Sequence, residues 1–236
     1  MSASTGTTSS ASVYTTPAFW EQLWRAASIQ SALCFIVAHI VYDHQPQVGA
    51  SADALADFYD CDRMRILIAA VFYGLAVLNP MWFEGGAGRP GGCGTRRLAR
   101  GGDGLQSALG ALFLLLIAVV AALAYSIAGS GNHMLTSGLN DFVWAGFVLT
   151  SFPRAMLIMA AAFGLWRARL ISNALFAAGV AAVVLVLLGG TTWLSGGFWA
   201  PDGVYSRFVS PAIGLVWGMV VSGVLLTRSP ATRAGW

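Results

Sequence analysis

The sequence predicts an all-α polytopic membrane protein with six transmembrane helices and both termini cytoplasmic. Three observations carry this prediction. Hydrophobic residues make up 57% of the 236-residue chain and charged residues 10%, against ~45–50% and ~25% in soluble domains. Six stretches are each long and apolar enough to cross a bilayer, which takes roughly 20 residues. The 13 basic residues are all arginines, and the 12 outside the middle of a span divide unevenly between two alternating sets of loops. Alanine and glycine abound and lysine is absent, a composition typical of GC-rich bacterial genomes.

The chain opens on MSASTGTTSSASVYTTPAF, rich in Ser, Thr and Ala. It has neither the basic start nor the apolar core of a signal peptide, so residues 1–19 are expected to be a disordered cytoplasmic tail. The membrane domain is expected over 20–228, with a short cytoplasmic tail at 229–236. Its spans are expected at 23–42, 64–83, 105–127, 142–166, 170–194 and 208–226.

Orientation follows from the arginines, which favour cytoplasmic loops. With the N-terminus inside, Arg25, Arg89, Arg96, Arg97, Arg100, Arg167, Arg169, Arg228 and Arg233 are cytoplasmic. Arg63, Arg65 and Arg207 lie outside, together with Asp43, Asp53, Asp57, Asp60, Asp62, Asp141 and Asp202. Trp24, Trp82 and Trp166 then fall at inner helix ends, and Trp144 and Trp193 at outer ends, as in an aromatic belt. The similar runs LWRAASIQSAL (23–33) and LWRARLISNAL (165–175) precede the first and fifth spans. An inverted repeat would pair the first with the fourth. The two runs therefore read as one local solution used twice, with Trp at the headgroups and Arg reaching anionic lipid.

The inner loop 84–104 is dense in glycine and arginine and is expected to be a flexible linker held at the anionic leaflet. Its GAGRPG (86–91) matches a dinucleotide fingerprint by letter, but without the strand before it and the helix after it. The first outer loop contains SADALADFYD. That run suits a short amphipathic helix capped by Ser51, with Leu55, Phe58 and Tyr59 on the apolar face. Cys34, Cys61 and Cys93 differ in compartment or depth, so no intramolecular disulfide is expected; Cys61 could link two copies.

Arg154 is the most informative single residue. It falls near the middle of the fourth span, where a charge costs ~2.5–3.5 kcal/mol even on insertion scales, so it should face the bundle interior or a wet cavity. Pro153 removes one backbone hydrogen bond and leaves the carbonyl of Leu149 without its donor. Thr150 and Ser151 lie one turn back. TSFPR thus describes a kinked helix with exposed carbonyls, hydroxyls and a cation, and no acidic residue is expected at comparable depth. The competing reading is structural: Arg154 bonds helix carbonyls and water only.

His39 shares a face with Ser28, Ser31 and Phe35. It is the one histidine at haem depth, so a haem held by two histidines is not expected in a monomer, and no other cofactor is. His44, His133 and an aspartate could meet at the outer rim, but their spacing matches no zinc pattern. No metal site is assigned. Gln30, Asn79, Asn173, Thr191 and Thr192 read as interhelical hydrogen-bonding groups, and AAAF and FAAGVAA as small-residue runs that let the fourth and fifth spans approach closely. Neither a nucleophile elbow nor a supported Cys–His pair is present, so no catalytic residue is assigned.

The runs ADALADFYDCDRMRILIAAVFYGLAVLNPMWF (52–83) and FPRAMLIMAAAFGLWRARLISNALFAAGVAAVVLVLLGG (152–190) resemble those of uncharacterised six-helix integral membrane proteins of bacteria, actinobacteria above all. The resemblance implies a six-helix fold and a bacterial inner membrane; it transfers no activity and no functional residue. The expected function is a helix bundle that binds or transports a small amphipathic or lipid-like, anionic molecule near Arg154, with Pro153, Ser151, Thr150 and His39 as the other candidate site residues. The first alternative is a non-catalytic accessory subunit of a larger membrane complex. The second is an intramembrane enzyme acting on a lipid or isoprenoid through Asp43, Asp60, Asp62 or His39. Expected partners are the bilayer, such a ligand, and a membrane-protein partner or a second copy; no nucleic acid is expected.

Overall fold

The computed structural model describes residues 23, 26–42, 45–84 and 95–227. The two expected tails, GAGRPG, Cys93, Asp43 and His44 lie outside the described residues. The architecture is all-α, and no strand occurs among the described residues. Helix α1 is Ala27–Tyr42, α2 Ala52–Cys61, α3 Arg63–Glu84 and α4 Thr95–Ala122; α5 is His133–Leu149, α6 Ser151–Arg167, α7 Asn173–Gly189 and α8 Ser210–Thr227. One π-helical turn, Leu123–Ile127, extends α4, and another, Tyr205–Val209, leads into α8.

Three segments are long and apolar enough to cross a membrane: Ser107–Ser130, His133–Arg167 and Tyr205–Thr227. Helices α1 and α7 are apolar but shorter. α1 packs on α3, α3 on α4, α4 on α5 and α6, α6 on α7, α7 on α8, and α8 back on α1. The result is a closed ring of helices. Its outside displays large apolar side chains from every wall: Ile40, Val71, Leu115, Met156, Val184 and Val216 are all exposed. A soluble surface would not carry so continuous an apolar exterior; a bilayer suits it.

Several boundaries differ from those the sequence predicts. α4 begins at Thr95, ten residues early, so the second half of the expected flexible loop is helical. Its glycines cost only ~1 kcal/mol each in a helix, less than interrupting a helix that has already nucleated. The fourth span is much longer than expected. Asn132 caps α5, accepting from the Leu135 amide at 3.1 Å. His133 therefore starts a helix instead of lying in a loop. The helix then breaks at Thr150, where α5 gives way to α6, as the missing donor of Pro153 requires.

At the other end, α7 stops at Gly189. Thr191 and Thr192 lie beyond it, and their hydroxyls cap the Leu188 and Gly189 carbonyls at 2.8 Å. They close a helix end and do not bridge helices. Asn173 does bridge, accepting from the Trp166 indole at 2.8 Å. The small-residue runs meet as expected, with a Cβ placed at Gly179 falling 3.0 Å from that of Ala162.

α2 is the amphipathic helix the sequence predicts. The Ser51 hydroxyl accepts from the Ala54 amide at 3.3 Å, and Leu55 and Tyr59 are fully buried. Each contributes ~1.5–3 kcal/mol of apolar burial, which seats α2 across one end of the ring. There Leu55 and Tyr59 pack with Tyr42, Ile66, Ala69, Leu123, Ala124 and Ala128. A second core joins α6, α7 and α8 through Ala155, Ile158, Ala162, Val183, Val186, Trp217 and Val221. Between the two cores lies a cavity.

Candidate functional site

The cavity has a volume of about 330 Å³, at the small end of the ~300–1,000 Å³ of small-molecule pockets. Each wall contributes one stripe at helical spacing. α1 gives Ser31, Phe35, His39 and Tyr42; α3 gives Ile66, Ala70, Tyr73 and Val77; α4 gives Leu109, Phe113, Leu116 and Val120. Val143, Trp144 and Phe147 come from α5, Arg154, Leu157 and Ile158 from α6, Val186 from α7, and Arg207, Ser210, Pro211 and Gly214 from the segment entering α8. No Asp or Glu lines it among the described residues.

Arg154 sits one turn past the break at Thr150. Its Nε donates to the Thr150 carbonyl at 3.3 Å and one terminal nitrogen to the Ser151 hydroxyl at 2.9 Å. The guanidinium lies over the Phe147 ring, 5.3 Å from its centroid, a cation–π contact. A guanidinium has five N–H donors; two are taken, and three on the terminal nitrogens remain. Arg154 makes no ion pair with any described residue.

Beside it, α6, α7 and α8 converge. A Cβ at Gly189 would fall 2.6 Å from the Ser210 hydroxyl oxygen and 2.9 Å from that of Ser151, so glycine is required for this approach. Ser210 is fully buried, and its hydroxyl has no hydrogen-bond partner. An orphaned buried hydroxyl costs ~1–3 kcal/mol, and its residue lines the cavity.

Towards α2 the walls become polar. His39 Nδ1 and the Tyr73 hydroxyl are 3.3 Å apart, and the His39 ring meets Phe208 edge-on, with centroids 5.0 Å apart. The cavity ends at Gln45, whose amide donates to Asn140 Oδ1 at 3.1 Å. The Tyr59 hydroxyl donates to the same oxygen at 3.1 Å. Burial pushes the Tyr59 phenol well above its ordinary range, so it remains a donor. The Trp144 indole donates to the Pro46 carbonyl at 3.0 Å, and the Gly49 amide to Asp141 at 3.3 Å. One face of α5 thus holds the strap 45–49 at this end of the cavity.

Of the residues singled out by sequence, Arg154 and His39 line the cavity. Ser151 and Thr150 orient Arg154, while Pro153 shapes the helix from outside the lining. Arg207 and Trp144 correct the sequence reading. Arg207 belongs to the π-helical turn and lines the cavity instead of an outer loop. Trp144 is 4% exposed, so it is no membrane-belt residue: the strap covers it and accepts its N–H. Sequence reasoning missed Ser210, Tyr73 and Gln45. The stripe Ser31–Phe35–His39–Tyr42 was the available signal for the wall they face. Among the described residues no three His, Cys, Asp or Glu side chains gather to hold a metal ion. In comparisons with known proteins, no family model, no curated protein and no solved structure matches the chain.

Proposed function

We propose that this chain is a six-span protein of a bacterial inner membrane, with both termini cytoplasmic, whose central cavity binds an anionic amphipathic molecule at Arg154. The three long apolar segments supply half of the spans. α1, α3 and α7 supply the others, at 16, 22 and 17 residues, or roughly 24–33 Å of helix. The arginine asymmetry supports the orientation, and it puts α2 on the outer face. The resemblance to six-helix bacterial membrane proteins agrees with this placement.

The observation that carries the function is the setting of Arg154. A fixed cation faces a largely apolar cavity, paired with no acid among the described residues. An uncompensated charge in low dielectric is costly, and three N–H groups offer an anion a ready set of donors, with Ser210 in the lining beside them. The broken helix around it is the form that membrane binding sites take.

Native mass spectrometry of the gently solubilised protein, wild type beside Arg154→Gln, tests the proposal. The expected result is an adduct on the wild type that is lost in the variant, with equal helicity by circular dichroism. Equal adducts on both, or none on either, would reject the proposal in favour of the accessory-subunit reading.

A further inference from the structure

The cavity is polar at one end and apolar at the other, and this polarity specifies its occupant further. We infer that the occupant is a single-chain carboxylate amphiphile, seated with its head at Arg154 and Ser210 and its tail pointing away from α2. The inference rests on the proposed anionic site and adds the ligand's class and direction.

Contacts between helices fix the levels. Ser151 and Ser210 share one level across Gly189. Ile158 and Gly214 share the next, with a Gly214 Cβ falling 3.5 Å from Ile158 Cδ1. Arg154 stands between them. From the Ser210 level towards α2 the lining includes His39, Tyr73, Gln45 and Arg207. In the other direction the walls are apolar, with Leu109, Phe113 and Leu215 among them. The polar exception there, Ser31, donates its hydroxyl to the Ala76 carbonyl at 2.6 Å. That side suits a tail.

Size and charge narrow the head and the chain number. About 330 Å³ holds one short chain and not the two chains and head of a bilayer phospholipid. One guanidinium balances one negative charge. A phosphate monoester carries roughly −1.5 to −2 and would leave part of its charge unmatched. Arg207 lines the cavity nearer α2, with its guanidinium over the Phe208 ring, 5.3 Å from the centroid. A carboxylate fits the two-nitrogen edge of Arg154 and accepts from Ser210 as well.

The test titrates the full chain in nanodiscs of a zwitterionic lipid with decanoate, decan-1-ol, decyl phosphate and inorganic phosphate, following binding by calorimetry. Decanoate is expected to bind, and the other three to bind at least about ten-fold more weakly. Arg154→Gln should weaken decanoate by about ten-fold or more, the size of a charged hydrogen bond. Ser210→Ala should weaken it a few-fold without lowering stability, because it removes an unpartnered hydroxyl. Gly214→Val should shift the preference from decanoate to hexanoate, because it fills the tail side.

Tighter binding of decyl phosphate or of the alcohol would overturn the carboxylate head. An unchanged chain-length preference in Gly214→Val would overturn the tail direction. Either result is compatible with an Arg154-dependent adduct in native mass spectrometry, so the proposed anionic site would survive it. If the adduct is absent as well, both fail.

Discussion

Asn140→Ala probes the seat of the strap at the α2 end of the cavity. Asn140, Tyr59 and Gln45 are 0%, 0% and 8% exposed, so water does not replace a lost partner. Asn140 Oδ1 accepts from both the Tyr59 hydroxyl and the Gln45 amide at 3.1 Å. Truncation orphans the first donor and leaves the second with only a 3.5 Å contact to the Tyr59 oxygen. At ~1–3 kcal/mol per orphaned neutral group, the loss is roughly 2–5 kcal/mol. For a chain of this size that corresponds to about 5–15 °C in Tm. Tyr59→Phe removes a donor while Asn140 keeps Gln45, and it should cost only ~0.5–1.5 kcal/mol. The double variant should therefore fall short of the sum by ~1 kcal/mol or more. Thermal and denaturant unfolding in nanodiscs measure all three. A loss under about 0.5 kcal/mol for Asn140→Ala, or strict additivity, would refute the reasoning.

Other expectations follow from single contacts. Gly189→Ala drives a methyl within 2.6 Å of the Ser210 oxygen and should cost ~1–3 kcal/mol, with Ser210→Gly restoring much of it; unfolding measurements of the pair decide this. The exposed Cys61 thiol donates to Asp57 at 3.2 Å, and that bond, then the charges of Asp57 and its neighbours, raise its pKa. Less thiolate is present at a given pH, so alkylation near pH 8 should be slow and Asp57→Asn should speed it several-fold; an unchanged rate would contradict the cause. In intact cells an impermeant maleimide should label Cys61 and reach Cys93 only after permeabilisation. The reverse pattern would invert the proposed topology.

Much of the fold was legible because it depends on local pattern. Apolar length marked the segments that became the ring walls, and the Ser51 cap with the Leu55–Tyr59 face marked α2. The helix ends were less legible. Asn132 captures an amide and starts α5 early, and the expected α7 gives up its last turn because two threonines cap it. Both depend on side-chain geometry that no hydropathy window contains. At the site, a charge inside an apolar run was enough to find Arg154, and the adjacent proline was enough to find the break. Ser210, Tyr73, Gln45 and the inward turn of Arg207 were not legible. They are placed by contacts between distant helices, and the closest of these depends on the missing Cβ of Gly189. Trp144 shows the same limit: its sequence position suits a membrane belt, and only the strap from 46 makes it a buried donor.

The most direct test of the central claim is a crystal structure grown from a lipidic mesophase. The result expected is elongated density in the cavity, with one end against the terminal nitrogens of Arg154 and the hydroxyl of Ser210 and the rest running between Leu109 and Gly214. Density confined to water-sized peaks, or an Arg154 paired with a protein carboxylate, would contradict the claim.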